Sequence, residues 1–410
     1  MVKAHLGIYS PRLHVIMYGL LLIATPFILL QKFLIEKISE LSQSSFSVYD
    51  INIPIILLLG VVTAIIILYS ARAYLTWFRS LAILIVILMN CLSQQIADYY
   101  FDHNFYDLQQ NWHYFAYGIF AFLIYRDLAP RNYSMARIIL ISYITALCLS
   151  LFDEFFQMNM SSRVFDVSDI AKDLWGNLMG IILLYMFVSD PSILSEQWKR
   201  IRHRKLKYYL THSPSLLILM FIFALLLVIF GSLLSEVEYF GYVVLLTLVS
   251  FTIFFLLFHL SQFKKVKYII VGLLLCAIAF QTYFYLKYSS KNIVYNQYGL
   301  AVYKGIPIFY FDFLVFPNES FRLVDKKHFF NNRDQNFLKK QKPDIIVISS
   351  GNDEKGGWGF PQNTPVQFIY NQYTQSGIEV IILKNSEACE LFNRLKEEGK
   401  NVLFIYHNTF

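Results

Sequence analysis

Charge is what this sequence is short of. Across 410 residues only 15% are Asp, Glu, Lys or Arg, too few to cover the surface of a soluble protein of this length. Cysteine is sparse too. Cys91, Cys148, Cys276 and Cys389 are scattered, with no Cys-x-x-Cys pair, which excludes a disulfide framework and a thiolate metal site. No His-x-x-x-His or Glu-x-x-His pattern is present, so no metal or other cofactor is expected. The formal charge of +7 sits mostly in short loops. It reads as a topology signal rather than a nucleic-acid surface, and no nucleic-acid partner is expected.

What is abundant is apolar and aromatic: 56% hydrophobic and 18% aromatic residues, with a mean hydropathy of +0.47. Apolar runs occur near 13–33, 51–70, 80–97, 112–128, 136–152, 173–189, 213–234, 239–260 and 266–286. Runs of this length can cross a hydrocarbon core of about 30 Å, so the pattern predicts a polytopic all-α membrane bundle of about nine transmembrane helices. The run from Leu13 past Leu30 is too long for a signal-peptide core and reads as the first span.

Loop charges orient the spans. The densest basic stretch, Lys199, Arg200, Arg202, Arg204, Lys205 and Lys207, follows the sixth run and is assigned to the cytoplasm. The loops with Arg72 and Arg79, with Arg126, Arg131 and Arg137, and with Lys264, Lys265 and Lys267 then fall on the same side, as does the N-terminal stub with Lys3 and Arg12. Asp98, Asp102 and Asp107, and Glu236 and Glu238, fall on the other. With nine spans the N-terminus is cytoplasmic and the C-terminal region lies outside.

From about Asn292 the texture changes to that of a soluble α/β domain. Gly299–Tyr303 and Ile308–Phe316 read as β-rich, Asp344–Ser349 as a buried strand and Val366–Ser376 as a helix ended by Gly377. Glu379–Leu383 reads as a strand, Ser386–Glu398 as a helix ended by Gly399 and Val402–Tyr406 as a last strand. That order implies a parallel βαβ core. The organisation is thus 1–190, about six helices; 191–290, three more after the basic loop; and 291–410, the soluble domain.

Three polar stripes border the spans. His113 and Tyr117 are four apart; so are Asp153 and Gln157, with Glu154 between them; Asp169, Asp173, Gly176 and Gly180 step by four, three and four. Each set lies on one helix face. In the threading above all three stand at the outer ends of spans four, five and six. Ionisable groups next to hydrocarbon are costly unless paired or facing water, so the cluster is the candidate site; taken singly, Asp153, Glu154 and Asp169 are explicable as solvated helix ends, Asp169 as an N-terminal acid, whereas Asp173 lies a turn inside a span. Arg163, in the loop between the second and third stripes, is the natural partner for Asp173 or for an anionic ligand.

His113-Tyr114-Phe115-Ala116-Tyr117, then Asp153-Glu154-Phe155-Phe156-Gln157, Arg163, Asp169, Gly176 and Gly180 resemble the motif series of the VanZ-like family over about 60–190. That is a family of bacterial membrane proteins whose namesake is linked to resistance to the glycopeptide teicoplanin. Two positions depart from its pattern: Gln109-Gln110 replace an acid–lysine pair, and Asp173 replaces an asparagine. The resemblance implies a multi-pass protein of the bacterial cytoplasmic membrane that binds or modifies an envelope lipid or lipid-linked glycan precursor. The resemblance carries no mechanism; on the residues' own chemistry, if the chain is an enzyme, His113 is the best general base or acid with Glu154 or Asp169 orienting it, and Tyr117, Asp153, Gln157, Arg163 and Asp173 are the substrate-binding candidates, Arg163 for a phosphate.

Lys342-Pro343-Asp344 through Gly351, then Gly377-Ile378-Glu379-Val380, then Glu387-Ala388-Cys389 with Phe392-Asn393-Arg394-Leu395 and Glu398-Gly399, resemble the Mth938-like α/β family over about 295–406. This implies an interaction module with a protein partner, and so the rival expectation of a non-catalytic scaffold or assembly factor. Within it Gly351–Gly359 lacks a phosphate-loop pattern and reads as a turn or partner loop with Trp358 exposed. Cys389 reads as a small buried hydrophobe.

Overall fold

The computed structural model describes residues 10–29, 36–38, 40–41, 44–48, 51–95, 108–158, 167–187, 203–230, 240–309, 311–324, 329–330, 332–351, 356–360 and 366–408. The chain divides into two units. One comprises Met1–Cys91, His103–Leu226 and Thr247–Gln262; the other comprises Leu92–Asp102, Leu227–Leu246 and Phe263–Phe410.

A helix stands at each of the nine expected positions: α1 (Pro11–Leu29), α2 (Ile55–Ala71), α3 (Trp77–Gln95), α4 (Leu108–Leu128), α5 (Met135–Gln157), α6 (Val167–Phe187), a short α7 (Leu206–His212) leading into α8 (Pro214–Phe230), α9 (Phe240–Leu260) and α10 (Lys264–Tyr288). Among the described residues, however, only five helical stretches are long and apolar enough to cross a membrane: Ile55–Tyr74, Met135–Gln157, Asp169–Phe187, Gly241–Leu260 and Lys264–Tyr288. A sixth counts if α7 and α8 form one broken span. The expectation of nine is therefore too high. Helices α1 and α3 are apolar over shorter stretches, and α4 carries polar residues, His113, Arg126 and Asp127 among them, along its length. A hairpin of β1 (Ser45–Val48) and β2 (Ile51–Pro54) precedes α2.

The apolar helices do not bury one another fully. No residue of α2 or α10 is buried, and Ile65, Ile66, Leu273 and Leu275 are exposed. A soluble chain rarely leaves apolar surface on this scale open to water. The helices are compatible with a multi-pass membrane protein, in which lipid covers these faces. Helix α6 is the opposite case: Trp175, Asn177 and Leu178 are fully buried, and α4 and α5 pack against it. Its axis can approach α4 closely because glycines meet at the crossing. A Cβ on Gly176 would lie 2.6 Å from Tyr114 Cα, and one on Gly180 would lie 2.7 Å from the Gly118 carbonyl oxygen. Trp175 Nε1 donates to the Met89 carbonyl at 3.0 Å, tying α3 to the same centre.

In the second unit, α10 leads into a three-stranded antiparallel sheet of β3 (Ile293–Gln297), β4 (Leu300–Tyr303) and β5 (Ile306–Phe309). The turn between β4 and β5 is seated on α10: Gln281 Nε2 donates to the Gly305 carbonyl at 2.8 Å. Gly305, at φ +76°, approaches Tyr285 so closely that a Cβ would meet its Cα at 2.7 Å. Only glycine serves both needs.

The main sheet has six strands in the order β7-β6-β11-β8-β10-β9, where β6 is Asp312–Val315, β7 Phe321–Val324, β8 Ile345–Ser349, β9 Val366–Asn371, β10 Ser376–Leu383 and β11 Val402–Tyr406. Strands β8, β10 and β11 run parallel, as the βαβ reading requires, while β6, β7 and β9 are antiparallel additions. Helix α11 (Asn332–Lys340) covers one face through Phe337 and Leu338 against Ile346, Ile348 and Leu403. Helix α12 (Asn385–Glu397) covers the other through Cys389, Phe392 and Leu395 against Val347 and Phe404. Asn393 binds the β3 backbone in both directions, accepting from Ile293 N at 2.9 Å and donating to its carbonyl at 2.7 Å.

One sequence expectation fails here. The segment 366–376, read as a helix, contains the edge strand β9, whose Val-Gln-Phe-Ile-Tyr alternation pairs antiparallel with β10. The stretch Ile308–Phe316, read as β-rich, holds the end of β5 and all of β6, which belong to different sheets. Cys389 is buried, and burial pushes its thiol up to about 12, so it is inert as a nucleophile.

Glu319, in the turn after β6, accepts from Lys304 Nζ at 2.6 Å and faces Lys396 Nζ at 3.2 Å. The hydrogen bond from Lys304 holds its carboxyl below the usual range. A depressed carboxylate stabilises the fold above its unfolded value and loses that contribution as pH falls through the folded one. Glu319→Gln should therefore reduce the difference in urea midpoint between neutral pH and about pH 3.5 relative to the parent, slightly, because the pair is solvent-screened.

Candidate functional site

The polar residues of α4, α5 and α6 meet at one end of their crossing, and the close approach at Gly176 sets the geometry. Gly176 lies three residues beyond Asp173, so the contact with the backbone of His113 and Tyr114 brings the His113 ring onto the Asp173 carboxylate. His113 Nδ1 lies 2.8 Å from Asp173 Oδ1, and Ser150 Oγ donates to Asp173 Oδ2 at 2.6 Å. Asp173 is buried and His113 is 20% exposed at its side chain. The buried Tyr117 faces the same carboxylate and Ser150.

Around this centre the other groups pair off. Gln157 Nε2 donates to Asp153 Oδ2 at 3.2 Å and to Glu154 Oε1 at 3.1 Å, bracketing two carboxylates on the last turn of α5. Lys172 Nζ donates to Asp169 Oδ1 at 2.8 Å. One turn deeper, Asn177 Nδ2 donates to Ser142 Oγ at 3.1 Å. Each pairing lowers the cost of holding polar groups in apolar surroundings.

Of the eight residues singled out in the sequence, seven are described: His113, Tyr117, Asp153, Glu154, Gln157, Asp169 and Asp173. Three of the helices that carry them converge, as the stripes required. Arg163 lies outside the described residues. Its expected pairing with Asp173 or an anionic ligand therefore lies outside the described residues as well; among the described residues the Asp173 carboxylate is held by His113 and Ser150. Glu154 accepts from Gln157, and Asp169 accepts from Lys172. Ser150, Lys172, Ser142 and Asn177 were missed. Only Lys172 had a legible signal, as a cation three residues from Asp169 in an apolar helix; the serines lie in an apolar run with nothing local to mark them.

With Asp173 as acceptor, His113 carries its hydrogen on Nδ1, which leaves Nε2 as the nitrogen able to take a proton. A carboxylate that fixes the tautomer and ring orientation of a histidine is the arrangement by which a general base is prepared. Among the described residues no group of three or more His, Cys, Asp or Glu could hold a metal ion.

No family model matches the chain, and no curated protein matches it. A solved structure described as MT938 matches at 19% identity, covering 29% of this chain and 98% of its own length, with a TM-score of 0.23. What the fold itself defines is a body of apolar helices, with a polar network across three of them, joined to a domain built on a mixed β-sheet.

Proposed function

We propose that this chain is a VanZ-like membrane protein of the bacterial cell envelope, and that the network of His113, Asp173 and Ser150 binds or modifies a lipid or lipid-linked glycan at the outer membrane face. The observation that carries this reading is the buried carboxylate of Asp173 shared between a histidine and a serine from two other helices. Such an ion pair costs more in hydrocarbon than the apolar side chains a merely structural crossing would use. In this reading His113 acts as base or acid through Nε2, Asp173 orients it, and Lys172 and Arg163 offer positive charge to a phosphate. The alternating loop charges support a cytoplasmic N-terminus, and an odd number of crossings would put the C-terminal domain outside.

His113→Ala and Asp173→Asn should each abolish an envelope phenotype, measured as sensitivity to a glycopeptide antibiotic in cells expressing equal amounts of protein. Deletion of 292–410 should be milder. The opposite result, silent point changes and a null deletion, would replace this reading with the second one, a non-catalytic scaffold acting through its Mth938-like domain. What favours that second reading is β9, a sheet-edge strand that exposes Phe368 and Tyr370, a surface suited to strand addition by a protein partner. A reporter fused after Phe410 that works only in the cytoplasm would overturn the external placement.

A further inference from the structure

We propose that α7 is an in-plane helix seated on the bilayer surface, with Leu206 and Leu210 among the acyl chains and Lys205 and Lys207 holding anionic phospholipid headgroups. The direction of the helix is the first ground. Helix α7 meets α8 at 100° across the break at Ser213, so if α8 runs along the membrane normal, α7 lies close to the membrane plane.

The distribution of side chains is the second. At 100° per residue, Tyr209, Leu206 and Leu210 fall within an arc of about 100°. Lys205, Lys207, Thr211 and His212 occupy the rest of the circumference and are all exposed. Within the apolar arc the protein takes only one residue. Tyr209 is fully buried, edge-on to Phe255 at 5.3 Å with its hydroxyl 3.3 Å from His259 Nδ1. Leu206 and Leu210 are left 52% and 68% exposed.

The helix is also fixed rather than loosely tethered. Arg204 N donates to Gln262 Oε1 at 2.7 Å, and Gln262 Nε2 donates back to the Arg204 carbonyl at 3.2 Å. These bonds and the Tyr209 contact pin α7 to the end of α9, so the pair of leucines is held outward. A short helix with a narrow apolar arc bordered by lysines is the pattern of interfacial segments. Its position inside the hydrocarbon core as half of a broken span is disfavoured, because Lys205 and Lys207 would then be desolvated. The occupant is set by charge: the residues just before the helix, Lys199, Arg200, Arg202 and Arg204, continue the basic run, and basic clusters beside a span attract anionic lipid.

The test uses the full chain in vesicles of three parts phosphatidylcholine to one part phosphatidylglycerol. With the photoreactive amino acid benzoylphenylalanine in place of Leu210, illumination should give lipid adducts; in place of Lys207 it should give few. Lipid retained by the otherwise unaltered protein should be enriched in phosphatidylglycerol, and Lys205→Gln with Lys207→Gln should reduce that enrichment by about fivefold for each lysine. Both lysines are exposed, so folding is not at stake in that arm. Equal lipid labelling from both positions, or none from 210, overturns the in-plane seating. Enrichment unchanged by the two glutamines overturns the headgroup role.

Discussion

Replacing Asp312 by alanine should unfold the C-terminal domain or lower its stability by about 3–5 kcal/mol, the order expected when the common partner of two buried hydrogen bonds is removed. Asp312 and His407 are both fully buried, and His407 Nδ1 lies 2.7 Å from Asp312 Oδ2. The other carboxylate oxygen accepts from Asn408 N at 2.7 Å, so alanine would strand a buried backbone donor together with the imidazole. The damage would spread. Asn408 Nδ2 donates to the Ile308 and Phe311 carbonyls, and its own carbonyl accepts from Gly299 N, so this corner ties the three-stranded sheet to the six-stranded one. Asp312→Asn retains an acceptor for Asn408 N and should lose less. Limited proteolysis of the detergent-solubilised full chain, followed by the temperature at which the domain becomes cleavable, would rank parent, asparagine and alanine in that order. Equal resistance in all three would mean that the corner contributes little.

Gly176→Ala should destabilise the helical unit, against the usual sign for glycine to alanine inside a helix, which gains roughly 1 kcal/mol. The added methyl would sit 2.6 Å and 2.7 Å from the Cα and carbonyl oxygen of Tyr114. Backbone cannot turn aside as a flexible side chain can, so α4 and α6 must separate, at a cost of about 3 kcal/mol for forced overpacking. Two control substitutions fix the interpretation. At Gly118 the new methyl would meet its nearest neighbour, the Gly176 carbonyl oxygen, at 3.6 Å, and at Gly60 it would meet nothing within 4 Å; alanine at either should be neutral or mildly stabilising. Thermal unfolding in one detergent compares the three. The same separation should lengthen the bond between His113 and Asp173, so Gly176→Ala should share the phenotype of His113→Ala while Gly118→Ala should not.

The helical half was readable because hydrophobicity accumulates locally: a run of apolar residues announces a helix whatever it later touches. The three polar stripes were readable for the same reason, since residues four apart share a face before any tertiary contact forms. Partner choice was not. The structure joins Asp173 to His113 and Ser150, sixty and twenty-three residues away, and nothing along the chain marks either as its partner. Ser150 carries no local mark inside α5, because a serine there is informative only once a carboxylate is opposite it.

The β9 segment failed for a related reason. Val366–Asn371 is a strand through its pairing with β10, and a short apolar stretch ended by a glycine satisfies helix and strand templates alike. Likewise, among the described residues fewer helices are long and apolar enough to cross a membrane than the nine apolar runs suggested.

By itself, then, the sequence determined the division into an apolar helical body and a sheet-bearing domain, the places where the apolar helices stand, and the faces that carry polar groups, all of which follow from composition and period along the chain. The tertiary structure alone decided which polar groups meet, that a glycine crossing seats His113 on Asp173, that α7 turns away from α8, and that the β8–β10–β11 core is flanked by antiparallel strands. These depend on how closely separate backbones can approach, and that distance is set by residues far apart in the chain.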